Sequence, residues 1–223
     1  MRNKQNMTMK INLLGILFLT IITIGCNSHD KPKDFDYGRV ENSKYINSFF
    51  DFEITLPPDW VIQNKEQTEN LAEVGKDLVA GDDKNMKAIL KASEINSATL
   101  LAVFQYEVGA AVEYNPNFMI VAENLKNAPG IKTGSDYLFH SRKLLKQSQI
   151  QYDYIDDEFK KEVINNQEFY LMNLSINYMG LNIKQVYYST IQNGFSMNTI
   201  ISFINDEQKN ELEKVINSMT FNK

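Results

Sequence analysis

Apolar and polar residues alternate along several short segments of the chain, and this period of two is typical of strands with one buried face. The first such segment spans residues 49–56 and is followed by two prolines. Its apolar positions are Phe50, Phe52, Ile54 and Leu56. The same pattern predicts further strands at residues 99–108, 150–155, 168–179, 182–192 and 195–204.

Other segments repeat their apolar residues with the helical period of 3.6. They predict helices over residues 66–80, through 86–90, from Pro116 to about 129, from Ser135 to Leu145 and from Asp206 to about 218. Strands that follow one another closely favour antiparallel pairing, and helices then cover the sheet. We therefore predict an α+β fold with an antiparallel sheet of about six strands flanked by helices.

Two connections between the predicted strands fix how they pair. Asn193 and Gly194 both tolerate positive φ, so they predict a two-residue turn in which Val186 faces Ile201 across the hairpin. For the preceding connection, at residues 179–182, we favour a three-residue loop over a two-residue loop. The longer loop places Leu174 and Ile176 on the same apolar face as Val186.

The opposite face of this hairpin is mixed in character. It carries Tyr187, Ser189 and Asn198 beside apolar residues. A face of this kind is either incompletely covered or open to a ligand, and these three residues are our candidate ligand-binding face. Tyrosines in strands are more often cross-strand packing than a binding surface, so both interpretations stay open.

The N-terminal segment has the pattern of a secretory signal. Residues 1–10 contain three basic and no acidic side chains, an apolar stretch follows, and Gly25 precedes the single cysteine, Cys26. The apolar stretch is short for a permanent membrane span, which needs roughly 20 apolar residues. An ordinary cleaved signal and an uncleaved anchor are the alternatives to a lipidated cysteine.

The residues before Cys26 resemble the lipobox of bacterial lipoproteins. That resemblance implies cleavage between Gly25 and Cys26, a diacylglyceryl group on the sulfur of Cys26 and an acylated N-terminal amine. The predicted organisation is then a signal peptide at residues 1–25, a flexible tether at 26–44 and a single domain at 45–223. Without the signal, 20 basic side chains oppose 28 acidic ones, so the net charge of −5 becomes −8.

Composition excludes several classes of protein. One cysteine cannot form an internal disulfide, and it cannot form a zinc site built from several cysteines. The acidic balance argues against nucleic-acid binding, which needs a basic surface. We predict no nucleic-acid partner, no metal and no cofactor.

The remaining polar clusters have structural explanations that we favour over functional ones. Ser135, Asp136 and His140 lie too close along one helix for a hydrolase triad. An acidic run at residues 153–158 lacks the spacing of a calcium loop and is interpreted as a solvated turn. The lysine row Lys84, Lys87 and Lys91 has the spacing of a solvent-facing helix surface.

The chain also resembles the Mog1/PsbP-like group, whose members have an antiparallel sheet with helices on its faces. The resemblance rests on an opening strand that ends in a proline-then-tryptophan step (residues 52–60), on the Asn193 hairpin and on a closing helix that ends near Phe221. It implies an α/β/α sandwich and a role in protein binding or assembly. It implies no catalytic residues.

These observations lead to three functional hypotheses. The first is a binding or assembly module without catalysis, held by lipid on Cys26 at the extracytoplasmic side of a bacterial envelope membrane, with an envelope protein as possible partner. The second is a small-ligand-binding lipoprotein that uses the face of Tyr187, Ser189 and Asn198. The third is a hydrolase whose site is assembled from residues far apart in the sequence.

Overall fold

The structure, a computed structural model, describes residues 32–222 and confirms the α+β class. Its strands, all paired antiparallel, are β1 (Arg39–Glu41), β2 (Lys44–Asn47), β3 (Phe52–Thr55), β4 (Val61–Ile62), β5 (Ser97–Phe104), β6 (Asn117–Asn124), β7 (Tyr154–Ile155), β8 (Lys160–Ile164), β9 (Gln167–Tyr178), β10 (Leu181–Gln192), β11 (Phe195–Phe203) and β12 (Thr220–Phe221). Its helices are α1 (Lys65–Ala80), α2 (Lys84–Asn96), α3 (Gly134–Leu145) and α4 (Asp206–Asn217).

The strands form two sheets rather than the single sheet of about six strands that we predicted. The larger sheet has the order β4-β5-β6-β11-β10-β9-β7, and β8 pairs with β9 beside it. The smaller sheet has the order β1-β2-β3-β12. The additional strands are short ones whose alternation is too brief to recognise in a sequence.

Three layers result from how these elements pack. Helices α1, α2 and α3 contribute Val79, Leu90 and Leu138 to a core on one face of the larger sheet. The smaller sheet and α4 cover the other face, where Ile54 and Leu212 pack with residues of β5, β6, β10 and β11. Both faces of the central strands are therefore buried.

The predicted helices are confirmed at four places, and polar N-caps mark where they begin. Asn64 and Thr133 form capping boxes with Gln67 and Asp136, respectively. A capping box satisfies backbone N–H groups that otherwise have no partner at a helix start. The N-cap of α3 is thus Thr133, two residues before the Ser135 start that the sequence suggested.

The helix predicted from Pro116 is wrong, because residues 117–124 form strand β6. Seven of its eight residues are buried between β5 and β11. A short apolar run that is buried on both faces has no distinct period, so its pattern fits a helix as well as a strand. The β-branched pair Ile120 and Val121 favours the strand.

The Asn193 hairpin is confirmed, whereas the three-residue loop before it is wrong. Val186 faces Ile201 as predicted. Tyr178 pairs directly with Leu181, so the connection has two residues, Met179 and Gly180, both at positive φ. The three-residue loop was predicted because it places Leu174 and Ile176 on the apolar face of Val186. In the structure Leu174 and Ile176 belong to the core beneath the helices, whereas Val186 belongs to the core under the smaller sheet.

Residues 150–165 also differ from the prediction. Only Tyr154–Ile155 of the predicted strand 150–155 is extended and paired, as β7. Strand β8 was not predicted, and it joins β9 through Asn165 and Asn166, which both have positive φ. An Asn-Asn pair is a weaker hairpin signal than Asn-Gly.

Residues before Tyr45, where the predicted tether ended, already pack against the domain. The Phe35 ring lies 5.1 Å from the Phe49 ring and 5.4 Å from the Phe195 ring, measured between centroids. Strand β1 follows and pairs with β2. Gly25, Cys26 and the predicted signal lie outside the described residues. None of the four helices within residues 32–222 has the length and apolar character needed to cross a membrane.

Candidate functional site

The structure buries the candidate ligand-binding face. Tyr187, Ser189 and Asn198 are 2%, 0% and 1% exposed, and none of them lines either of the surface grooves described for this part of the chain. Helix α3 packs over this face and contacts β9 and β10. The mixed character of the face therefore reflects a buried polar layer and not an opening.

A glycine allows α3 to lie this close to the sheet. A Cβ atom on Gly134 would lie 2.1 Å from the carbonyl oxygen of Ser189 and 2.7 Å from its carbonyl carbon. Both distances are well inside van der Waals contact, so only glycine fits at the first residue of α3. The sequence gives no sign that this glycine serves a packing contact rather than a turn.

Polar side chains beneath α3 bind one another. The Tyr137 hydroxyl donates a hydrogen bond to Oε2 of buried Glu123 at 2.8 Å, and Asn198 Nδ2 donates to Ser196 Oγ at 2.9 Å. Buried polar groups that are paired in this way avoid most of the cost of leaving water. The pairing is partial, because Ser189 Oγ and Asn198 Oδ1 have no partner within the described residues.

Burial raises the pKa of six tyrosines above the ordinary value of about 10: Tyr45, Tyr114, Tyr137, Tyr152, Tyr187 and Tyr188. The folded state therefore favours the protonated phenol. The contribution of these tyrosines to the free energy of unfolding is fully present below pH 10. It is lost as the pH rises through 10 toward the raised pKa values, because the tyrosines of the unfolded chain ionise first.

We expect alkaline unfolding in which tyrosinate absorbance at 295 nm rises together with loss of near-ultraviolet circular dichroism. Tyr137→Phe should reduce the slope of unfolding free energy against pH above 10 by up to about 1.4 kcal/mol per pH unit. The comparison variant is Tyr106→Phe, at a tyrosine that is 42% exposed. Complete tyrosine titration with the fold intact would contradict the prediction.

The residues considered for a hydrolase do not form a triad. The carboxylate of Asp136 accepts hydrogen bonds from the backbone N–H groups of Lys132 and Thr133 at 3.0 and 2.9 Å. Partial burial raises the pKa of Asp136, but these hydrogen bonds outweigh burial and lower it overall. His140 is exposed and its ring lies edge-on to that of Phe139. Asp136 is thus a helix cap.

The acidic run at residues 153–158 also has a structural role. Asp156 Oδ2 accepts hydrogen bonds from the backbone N and the Nδ2 of Asn173, both at 2.7 Å, and these bonds join the segment to β9. Asp157 Oδ1 lies 3.4 Å from Lys146 Nζ. No group of three or more histidine, cysteine or acidic side chains suited to a metal ion occurs among residues 32–222.

The remaining candidates are dispersed. Lys84, Lys87 and Lys91 are all exposed on α2, as predicted. Tyr187 packs in the core beneath the helices, whereas Tyr188 packs in the core under the smaller sheet. Strand neighbours point to opposite faces, so the tyrosines do not share one pocket.

A feature that the sequence did not indicate is a groove of about 960 Å³ at the β4 end of the larger sheet. Its floor is residues 97–102 of β5, one wall is residues 65–73 of α1, and the other wall is residues 37–40 with Tyr45 of the β1–β2 hairpin. We call this site the edge groove.

The edge groove exists because β4 is short. Val61 and Ile62 pair with Phe104 and Val103, and the Gln63 N–H donates to the Ala102 carbonyl at 2.9 Å. The chain then turns into α1. Residues 97–101 pair with β6 on one side, with a register shift between Thr99 and Leu101. Within the described residues no strand covers their other side.

The two walls of the edge groove differ in character. On the hairpin wall Tyr37 and Val40 are exposed, with 43% of the Val40 surface open, and Arg39 between them forms an ion pair with Glu41. Ile62 of β4 is 41% exposed at the end of the groove. The α1 side presents Glu69 and Glu73 together with Lys65. Large apolar side chains that share an exposed concave surface commonly mark a binding site.

The charges of the α1 wall are unequally neutralised. Lys76 forms ion pairs with both Glu73 and Glu94. Glu69 has only a 3.8 Å ion pair with Lys65, whose side chain is almost fully exposed. Exposed pairs of this type are weak, so Glu69 is the carboxylate most available to a ligand.

One buried polar atom lies at the β4 end of the edge groove. Gln63 is 6% exposed, and its Oε1 has no hydrogen-bond partner within the described part of the chain. Ser189 Oγ and Asn198 Oδ1, which lie away from the groove, are in the same condition, so this oxygen does not by itself mark a ligand position.

Comparison with known proteins gives similarity of backbone only. The chain is similar to CyanoP, the cyanobacterial PsbP of Synechocystis sp. PCC 6803 (TM-score 0.46, 10% identity, 89% of this chain and 99% of that chain). It is similar to LpqN of Mycobacterium tuberculosis, which is described as involved in cell envelope biogenesis (TM-score 0.44, 10% identity, 77% and 83%).

A third similar structure comes from Bacteroides thetaiotaomicron (TM-score 0.44, 14% identity, 82% of this chain). The present chain spans about half of its length, at 50%. The chain matches no protein-family model and no curated protein.

Proposed function

We propose that this chain is a lipid-anchored extracytoplasmic module that binds a partner protein through the edge groove and carries out no catalysis. The observation that carries the proposal is the groove itself, which places exposed apolar side chains next to an uncovered strand edge. Isolated folds normally cover such edges, because uncovered ones pair with other chains.

The proposed lipid anchor and the edge groove are consistent with the same function. The apolar segment and single cysteine at positions 11–26 resemble a lipoprotein signal, which implies a position at a membrane surface. The edge groove begins at Tyr37, so it lies close in sequence to the proposed anchor. A binding site near a membrane anchor suits an envelope protein as partner.

Site-specific photocrosslinking in the native envelope tests this proposal. A photoreactive amino acid at Ala72, an exposed residue of the groove wall, should give a discrete crosslinked species that mass spectrometry identifies. The same probe at Ala88, exposed on α2 outside the groove, should not give that species. Identical products at both positions, or none at Ala72, would contradict partner binding at the groove.

A small-ligand-binding lipoprotein is the second candidate. The volume of about 960 Å³ falls within the range of ligand pockets. Native mass spectrometry of the protein purified from its own membranes would show a small molecule of constant mass. That mass should disappear in Ala72→Trp, which fills the groove, and persist in Ala88→Trp.

A further inference from the structure

We propose that the edge groove binds an extended peptide segment as a strand added to β5, and that apolar and basic residues alternate along this segment. The inference rests on the proposed function and specifies the chemistry of the partner. Strand addition uses main-chain hydrogen bonds for affinity and alternate side chains for specificity.

The backbone geometry of β5 favours strand addition. Strand β4 pairs only with Val103 and Phe104 of β5. The last backbone hydrogen bond on this side of β5 runs from the Gln63 N–H to the Ala102 carbonyl. The uncovered part, residues 97–101, contains the register shift between Thr99 and Leu101 and is at most about 17 Å long at ~3.4 Å per residue. A five-residue strand fits this length and extends the existing antiparallel pairing.

The two walls select the side chains of the added strand. Successive residues of a strand point to opposite faces, so one set would meet the hairpin wall and the other set the α1 wall. Tyr37 and Val40 on the hairpin favour apolar residues. Glu69 on α1 favours Lys or Arg, and the acidic charge of the domain favours a basic partner in general.

Helix α1 as a whole is acidic, which supports the same assignment. It carries Glu66, Glu69, Glu73 and Asp77 against Lys65 and Lys76. Glu69 and Glu73 line the groove, whereas Glu66 and Asp77 do not, so the basic residues of the partner segment are expected where it passes Glu69.

Fluorescence anisotropy with the full chain in a non-ionic detergent tests the proposal. The probe is a labelled heptapeptide, Lys-Val-Lys-Val-Lys-Val-Lys, and detergent without protein is the blank. We expect saturable binding of this peptide. The same peptide with N-methylated backbone amides should bind at least tenfold more weakly, and so should a peptide with Glu in place of each Lys. Equal binding of all three peptides, or no binding, would overturn the proposal.

Paired variants locate the bound peptide. Ala72→Trp should weaken binding at least tenfold by filling the groove, and Glu69→Lys about two- to fivefold by reversing an exposed charge. The matched controls Ala88→Trp and Glu158→Lys, at exposed positions outside the groove, should bind as the unaltered protein does. Equal effects of the groove variants and their controls would overturn the assignment.

Hydrogen exchange distinguishes strand addition from contact through side chains alone. The peptide should slow amide exchange at residues 97–101 and leave β8, another edge strand, unchanged. Protection at β8 instead would assign the peptide to the wrong edge and overturn the proposal. A dimer that dissociates when peptide is added would assign the groove to a second copy of the chain and also overturn it.

The outcomes separate this inference from the proposed function. A crosslinked partner at Ala72 without peptide binding would leave partner binding intact and contradict only strand addition. Absence of both would contradict the two together.

Discussion

Gly134→Ala is expected to lower the free energy of unfolding by about 3 kcal/mol. The added methyl group would lie 2.1 Å from the Ser189 carbonyl oxygen, which is backbone in the middle of the sheet and cannot rotate away. Helix α3 must therefore shift outward, and the core around Leu138 loses contacts. The better helix propensity of alanine, worth up to about 1 kcal/mol, only partly offsets this loss.

Urea denaturation followed by fluorescence of Trp60, the single tryptophan, measures this effect. Gly130→Ala is the matched control, because a Cβ atom there meets nothing within 4 Å. It should be neutral or stabilise by up to about 1 kcal/mol, through the entropy of the unfolded chain. A Gly134→Ala midpoint equal to that of the unaltered protein would show that α3 does not approach the sheet as described.

Cys26→Ala is expected to remove the protein from the membrane fraction. Each buried methylene of an acyl chain contributes about 0.8 kcal/mol, and stable anchoring needs more than one chain, so loss of all chains abolishes binding. The chain after residue 25 has 20 basic and 28 acidic side chains, so its net charge does not favour an anionic membrane in place of the lipid. The measurement is partition between detergent and aqueous phases, with the intact mass of the N-terminal peptide.

Ser28→Ala is the control for this substitution, since it makes a similar change two residues away and leaves the proposed lipid site intact. It should partition like the unaltered protein and retain the mass of a lipidated Cys26. An N-terminal peptide with a free thiol would instead indicate an ordinary cleaved signal. A chain that still carries residues 1–25 would indicate an uncleaved anchor.

Local patterns in the sequence were sufficient for elements whose two faces differ. The Asn193 hairpin, α1 and α4 all have one buried and one solvated side, or a turn with a definite φ requirement. Strand β6 was misassigned because both of its faces are buried, which removes the alternation. The predicted length of the connection at Met179 was wrong for a related reason, because a second core lies on the sheet face that was expected to be open.

The candidate site was harder to predict than the fold. Tyr187, Ser189 and Asn198 looked accessible because polar residues in strands usually face water, yet all three are buried where α3 packs on β9 and β10. The edge groove depends on an absence of pairing, which no residue type encodes. The one feature in the sequence that could indicate the edge groove is the Asn64 cap, because α1 begins there and β4 before it is limited to two residues.

The hairpin wall of the edge groove has a consequence for where a partner can be reached. Arg39 is thirteen residues from Cys26, and a fully extended chain of that length spans at most about 45 Å. With a lipid on Cys26, the mouth of the groove would be confined to a shell of that depth above the bilayer. A partner would have to present its segment inside this shell, which favours proteins held at the same membrane over those that diffuse freely.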